Sequence, residues 1–216
     1  MHLPEQDAPV CAAASLLGSE TRHYKLDRRR CRSAMPATAL TIRPSTESDA
    51  AAVCAIYAWN VSHGTGTFET EPPDADEMVR RRADVLDRGL PWLVAERDGQ
   101  VLGYAYANLF RPRPAYRYCV EDSIYLAPAA QRQGIGRSLL AELLARCEAV
   151  GARQMLAVIG DAANLGSIGV HRTLGFEPAG VLRAAGWKFD RWLDVVLMQK
   201  ALGAGDRRPA PTPTPT

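Results

Sequence analysis

The chain has 216 residues, 47% of them hydrophobic and 23% charged, with a formal net charge of +2 at pH 7. That suits one domain with enough apolar residues to bury a core, and the charge balance is too mild for a nucleic-acid surface, which needs a dense Lys/Arg stripe interleaved with aromatics. The five cysteines, Cys11, Cys31, Cys54, Cys119 and Cys147, form no CxxC pair and have no histidine at ligand spacing, so neither a metal site nor a disulfide framework is expected and reduced thiols in a cytoplasm are the plain reading.

Residues 1–35 read as a disordered N-terminal extension: they are basic at Arg28, Arg29 and Arg30, lack periodicity and hold no apolar run of the kind a signal peptide needs, and no membrane partner is expected. Met35 opens MPATALTIRP, which looks like an ordinary start, so the upstream residues are either an over-extended frame or a small tail. The domain is expected over 36–202, followed at 203–216 by a disordered tail, GAGDRRPAPTPTPT, whose Pro/Thr alternation favours solvated chain.

Leu40–Arg43 reads as a first strand, and Thr46 with Asp49 resembles a capping box for a helix reaching about Ser62, with Val53, Ile56 and Tyr57 as its buried stripe. Asp74 caps a second helix over about 75–88, stopped by Gly89. Asp98-Gly99 is a hairpin signal between two apolar runs, and 118–126 reads as the next strand. Ile135, Leu139, Leu140, Leu143, Leu144 and Cys147 fall at helical spacing. A buried strand from Gln154, a short helix over 164–174 and two short strands near 181–183 and 193–199 complete the chain. Three strands without an intervening helix exclude a uniformly parallel sheet, so the fold class is α/β: a mixed, mostly antiparallel central sheet with helices on both faces.

Between the 118–126 strand and the long helix lies QRQGIGRS, Gln131 to Ser138. A helix N-terminus presents free N–H groups and a partial positive charge, which suits an anion, and glycine at 134 and 136 lets backbone come close to a bulky ligand. The dinucleotide fingerprint GxGxxG and the Walker loop GxxxxGK are both absent here. A tight turn feeding a core helix is the plainer alternative.

QRQGIG matches the Gln/Arg-x-x-Gly-x-Gly/Ala signature of the GCN5-related N-acetyltransferases (GNAT), and Asn164-x-x-Ser167-x-x-x-His171-x-x-x-Gly175-Phe176 resembles their second block. GTGTFETEPP, RPRPAYRYCVEDSIYL, VIGDAANLGSIGVHRTLGF and VLRAAGWKFDRWLDVVLMQ resemble the phosphinothricin and methionine sulfoximine acetyltransferase branch, over about 40–200. The resemblance implies a GNAT fold, acetyl-CoA as co-substrate, a small-molecule amine as acceptor, direct transfer and a homodimer. It places Gln131, Arg132, Gln133, Gly134, Ile135, Gly136, Arg137 and Ser138 at the diphosphate, and Asn164 and Ser167 at the pantetheine arm. The main chain of Ile124, Tyr125 and Leu126 is placed along that arm and at the thioester.

Glu121 is placed by the same resemblance as the carboxylate that deprotonates the amine; an ion-paired strand-end carboxylate is the alternative. Asp122 should face the other way, because side chains alternate along a strand. His171 stands where many relatives carry a tyrosine that protonates the departing thiolate, and it could equally be a structural histidine. Arg111, Pro112, Arg113, Tyr116 and Val120 are implied to bind substrate beside Glu121, with Phe68 as an aromatic wall; a solvated basic loop and a core anchor are the alternatives. Trp187, Lys188, Trp192 and Asp194 read as packing and dimer-proximal structure. Cys119 lacks a histidine partner for an acyl-cysteine route. A protein N-terminal acetyltransferase of the same fold and a non-catalytic acyl-CoA sensor are the competing functions; the presence of Glu121 disfavours the sensor.

Overall fold

Arg43 leaves the first strand, β1 (Thr41–Pro44), and forks onto Asp49 with two 2.8 Å bonds, while its Nε donates to Glu96 at 2.8 Å. The expected capping box is present: Asp49 accepts from the Thr46 amide at 2.7 Å, and one 3-10 turn leads into α1 (Ala50–His63). The structure is a computed structural model, and it describes residues 39–209. The expected 1–35 extension lies outside the described residues.

Asp74 caps α2 (Ala75–Asp87), its Oδ1 accepting from the Glu77 amide at 2.7 Å. Asp98 and Gly99, at φ 55° and 74°, turn β2 (Trp92–Arg97) into β3 (Gln100–Leu109), the left-handed pair that matches strand twist. Then follow β4 (Cys119–Leu126), α3 (Ile135–Ala149), β5 (Gln154–Gly160), α4 (Leu165–Thr173), β6 (Glu177–Lys188) and β7 (Arg191–Ala201). The seven strands form one mixed sheet in the order β1-β2-β3-β4-β5-β7-β6, antiparallel at every pairing except β4 with β5.

The register puts Trp92, Tyr104, Tyr106 and Tyr125 on one face, where their rings stack and the Tyr57 ring of α1 meets Tyr125 edge-on at 4.9 Å. The apolar stripe of α3 (Ile135, Leu139, Leu140, Leu143, Cys147) is fully buried. Burying a side chain of that size stabilises by about 1.5–3 kcal/mol, so these two layers dominate the core.

Two segments differ from the sequence reading. The last two strands are a long hairpin rather than two short pieces. Pro178, Gly180 and Gly186 sit at register shifts along β6, and nine of its first ten residues face solvent on at least one side, so no alternation is visible. Residues 203–209 make turns, with Gly205 N–H donating to the Leu202 carbonyl at 2.8 Å and Arg207 N–H to Ala204 at 3.0 Å. Gly203 and Gly205 adopt the left-handed backbone that those turns need.

Candidate active site

β4 and β5 pair in parallel only from Cys119/Gln154 to Asp122/Ala157. Beyond that the two strands part, because β5 stays bonded to β7 as far as Gly160/Val195 while β4 stays bonded to β3. The β5-facing main chain of Ser123–Leu126 is left without a strand partner. Unpaired backbone inside a sheet must find water or a ligand, and a cavity of about 790 Å³ opens along it.

At one end of this cavity lies the start of α3. Gly134 is left-handed at φ 79°, and the first helical bond runs from Ser138 N–H to the Gly134 carbonyl at 3.1 Å. The amides of Ile135, Gly136 and Arg137 therefore have no intrahelical acceptor, and no side chain caps them. Gln131, Arg132, Gly134, Ile135, Gly136 and Arg137 all border the cavity; Gln133 and Ser138 do not. Gln133 donates to the Ala129 carbonyl at 2.6 Å and accepts from Arg97, and the Ser138 hydroxyl turns back to the Gly134 carbonyl.

Glu121 and Asp122 face opposite sides of β4, as alternation requires, and the split sheet lets the cavity reach both. Glu121 is half-buried near Tyr106. Burial raises its carboxyl above the usual range, the neighbouring Asp122 charge adds to that, and Arg111 opposes it. Asp122 is buried on the other side, where its Oδ2 lies 3.0 Å from His171 Nε2; its Oδ1 has no partner. His171 Nδ1 is 2.8 Å from the Ser167 carbonyl. Both ring nitrogens are thus occupied by acceptors. Asn164 Oδ1 accepts from the Ser167 amide at 3.2 Å and so caps α4 while bordering the cavity. Burial pushes the Cys119 thiol up, which leaves little thiolate for an acyl-cysteine route.

The other end is walled by the Gly64–Phe68 loop. Phe68 borders the cavity and sits against Gly160 and Gly186. Arg111, Pro112, Arg113 and Tyr116 are exposed and do not border it. The Arg111 guanidinium instead lies over the Phe110 ring, 4.7 Å from its centroid. Val120 is a core residue at 1% exposure, so its side chain points away. Sequence reasoning missed Trp59, Asn60, Thr65, Thr67, Tyr106 and Asp161, all of which border the cavity. Tyr106 was findable, since it opposes Ser123 in register and alternates inward with Tyr104. Asn60, whose amide donates to the Leu126 carbonyl at 3.2 Å, had no signal beyond helix periodicity.

The model of the Acetyltransferase (GNAT) family matches residues 53–176. The chain belongs to the GNAT acetyltransferase family. It is 55% identical over 168 residues to a phosphinothricin N-acetyltransferase of Alcaligenes faecalis, spanning 78% of this chain and 85% of that one. Identity is 36% to an L-methionine sulfoximine/L-methionine sulfone acetyltransferase of Salmonella typhimurium, over 76% of this chain and 95% of the relative. Among solved structures, a GNAT phosphinothricin acetyltransferase from Sinorhizobium meliloti in complex with acetyl-CoA superposes with a TM-score of 0.78 at 46% identity, covering 80% of this chain and 93% of that one.

The protein is accordingly an acyltransferase with acetyl-CoA as donor. The residues present fit that donor: three uncapped amides at α3 suit a diphosphate, and the bare edge of Ser123–Leu126 offers N–H and C=O groups to an amide-bearing arm. Among the described residues no helix is long and apolar enough to cross a membrane.

Proposed function

We propose that this GNAT enzyme acetylates the α-amine of a small amino-acid-like compound, of the kind named for its relatives: phosphinothricin, methionine sulfoximine or methionine sulfone. The observation that carries the reading is the half-buried Glu121 carboxylate, raised in pKa, at the point where β4 and β5 part. A group titrating nearer neutrality is better matched to proton transfer than an ordinary surface carboxylate. Acetyl-CoA, when bound, supplies an acetyl thioester. The amides of Ile135–Arg137 would hold its diphosphate, and the main chain of Ile124–Leu126 would orient the pantetheine arm and the thioester oxygen. Glu121 would take the ammonium proton, directly or through water, freeing the lone pair for attack. His171 forms part of the wall. For it to protonate the leaving sulfur directly, it would have to release the 3.0 Å bond to Asp122 or the bond to Ser167.

Arg111 and Arg113 are proposed to meet the substrate's anionic group from the rim, where their forked donors suit a carboxylate or phosphinate. The β6–β7 hairpin supports a homodimer: Val181, Leu182, Trp187, Phe189 and Trp192 are all about half exposed or more, with Trp192 at 64%. A cytoplasmic location agrees with the unpaired Cys54, Cys119 and Cys147. The deciding experiment is thiol release from acetyl-CoA against a panel of amino acids, their sulfone, sulfoximine and phosphinate analogues, and a peptide with a free α-amine. Turnover confined to the peptide would replace this reading with a protein N-terminal acetyltransferase.

A further inference from the structure

β6 is exposed along nearly its whole length, yet two residues near its end, Gly186 and Lys188, are buried. Lys188 is 4% exposed, and among the described residues no carboxylate lies within ion-pair distance of it. Its Nζ donates instead to two main-chain carbonyls, Gly64 at 2.9 Å and Thr67 at 2.8 Å. Its Nζ also lies over the Phe189 ring, 5.1 Å from the centroid, but a buried ammonium with carbonyls and a ring and no counter-charge is costly unless the site uses it. Gly64 is the C-cap of α1, where the negative end of the helix dipole favours a cation. Burial pulls the Lys188 amine down and the Glu69 charge pushes back. Two positions earlier on the same strand face, a Cβ on Gly186 would overlap the ring of Phe68. The strand thus touches the Gly64–Phe68 loop at three points, one ring and two carbonyls. All five loop residues border the cavity, whereas Gly186 and Lys188 do not.

We infer that Lys188 and Gly186 form a clamp that fixes the Gly64–Phe68 loop as the amine-side wall of the cavity, Lys188 as a positioning residue and Gly186 as the residue that sets how far Phe68 reaches into the acceptor site. The inference rests on the reading that Glu121 and this loop bound the acceptor end. The loop also touches the sheet itself, through Thr65 to the Asp161 carboxylate just past β5 and through the Phe68 ring, and Lys188 adds the two bonds that hold the Gly64 and Thr67 carbonyls. The Tyr57 hydroxyl reaches Thr67 Oγ1 at 2.9 Å and holds the loop from the other side.

The test uses two variants of the full chain. Lys188→Met keeps the buried stem and removes the donors. Hydrogen exchange of the Gly64–Phe68 amides should accelerate by about tenfold or more, and the amine KM should rise while the acetyl-CoA Kd stays within about twofold. Gly186→Ala should push Phe68 toward the acceptor and lower kcat/KM for the largest amino acid accepted by about tenfold relative to the smallest. Unchanged exchange in Lys188→Met overturns the clamp; an unchanged selectivity ratio in Gly186→Ala overturns its role in specificity. If Lys188→Met does not fold, exchange and selectivity in Gly186→Ala carry the test. A wild-type chain that acetylates no amino acid removes the functional reading, and the exchange measurement still decides the clamp.

Discussion

His171 joins Asp122 across 49 residues of sequence through a 3.0 Å bond from Nε2 to Oδ2, while its Nδ1 lies 2.8 Å from the Ser167 carbonyl. A carbonyl only accepts, so Nδ1 carries a proton. The pair then holds one more proton in the Nε2–Oδ2 bond, as imidazolium with carboxylate or as imidazole with carboxylic acid. From α3 comes the Cys147 thiol, pushed up to about 12 by burial, and from the residue just before β6 the Phe176 ring meets the imidazole edge-on at 4.9 Å. The Glu121 carboxyl, one residue along β4 on the opposite face, interacts with the Asp122 charge.

The pair gives a stability signature with a defined sign. Burial lowers the imidazole pKa, but the Asp122 hydrogen bond and charge, with the Ser167 carbonyl, outweigh it, and the net direction is upward from 6.5. A raised folded-state pKa means stability that is full below about pH 6.5 and is lost as pH rises through the folded value. Wild-type unfolding free energy, followed by urea melts, should therefore fall as pH rises from about 6.5. In Asp122→Asn that falling slope should be lost and turn the other way, because burial then dominates the imidazole, with a loss of about 3–5 kcal/mol at low pH for breaking a buried pair. The ¹⁵N shifts of His171 should move in that variant from doubly protonated toward one neutral tautomer. A pH-independent difference between the two proteins would rule out the charged pair.

Gly134 tests the donor site. Its φ of 79° is left-handed, and an added Cβ would meet nothing within 4 Å, so a valine there costs backbone strain rather than a clash. The strain is about 1–2 kcal/mol, small enough to leave the fold intact. The side chain would, however, stand in the open space before the three free amides. Gly134→Val should weaken acetyl-CoA binding by about tenfold or more in calorimetry, with amine selectivity unchanged. Equal cofactor affinity would move the diphosphate elsewhere.

The element order and the caps at Asp49 and Asp74 were legible because they rest on local chemistry: a side-chain oxygen three residues from an amide, or an apolar stripe at helical spacing. The stripe of Leu139, Leu140, Leu143 and Cys147 needs no partner to be read. The parting of β4 from β5 is different, since it depends on which strand β5 prefers beyond Ala157 and nothing within VEDSIYL records that choice. The Asp122–His171 bond and the reach of Lys188 to Gly64, 124 residues away, were hidden for the same reason. RPRPAY was easy to see and hard to place. Its arginine forks and the family resemblance pointed to substrate, while its residues are exposed and do not line the cavity.

The Arg43–Asp49–Glu96 cluster should control acid stability. Arg43 holds the Asp49 carboxyl down to about 2 against the opposing effect of burial, and the Thr46 amide helps. A depressed folded-state pKa stabilises above the unfolded value near 3.8 and is lost as pH falls toward 2. Asp49→Asn should cost about 1–3 kcal/mol at neutral pH and flatten the stability profile between about pH 4 and 2. A variant with wild-type acid sensitivity would show that the cluster is energetically idle.

The base assignment yields two opposed shifts from one carboxyl. If Glu121 accepts the amine proton, Glu121→Gln should lower turnover by about 10² to 10⁴ and leave acetyl-CoA affinity unchanged. Its residual rate should climb with pH as free amine accumulates. In the wild type, kcat/KM should rise along an acidic limb that follows the Glu121 pKa, which burial and then Asp122 raise and Arg111 restrains. Arg111→Gln removes the restraint, so its limb should move to higher pH; Asp122→Asn removes a neighbouring charge, so its limb should move to lower pH. Because Arg111 lies outside the cavity lining, a change in amine KM without any shift of the limb would mark it as a substrate contact alone. The paired displacement in opposite directions identifies Glu121 as the titrating base, since it is the carboxyl that the Asp122 charge raises and the Arg111 charge lowers. Limbs that coincide in all three proteins would dismiss it and leave the proton to solvent.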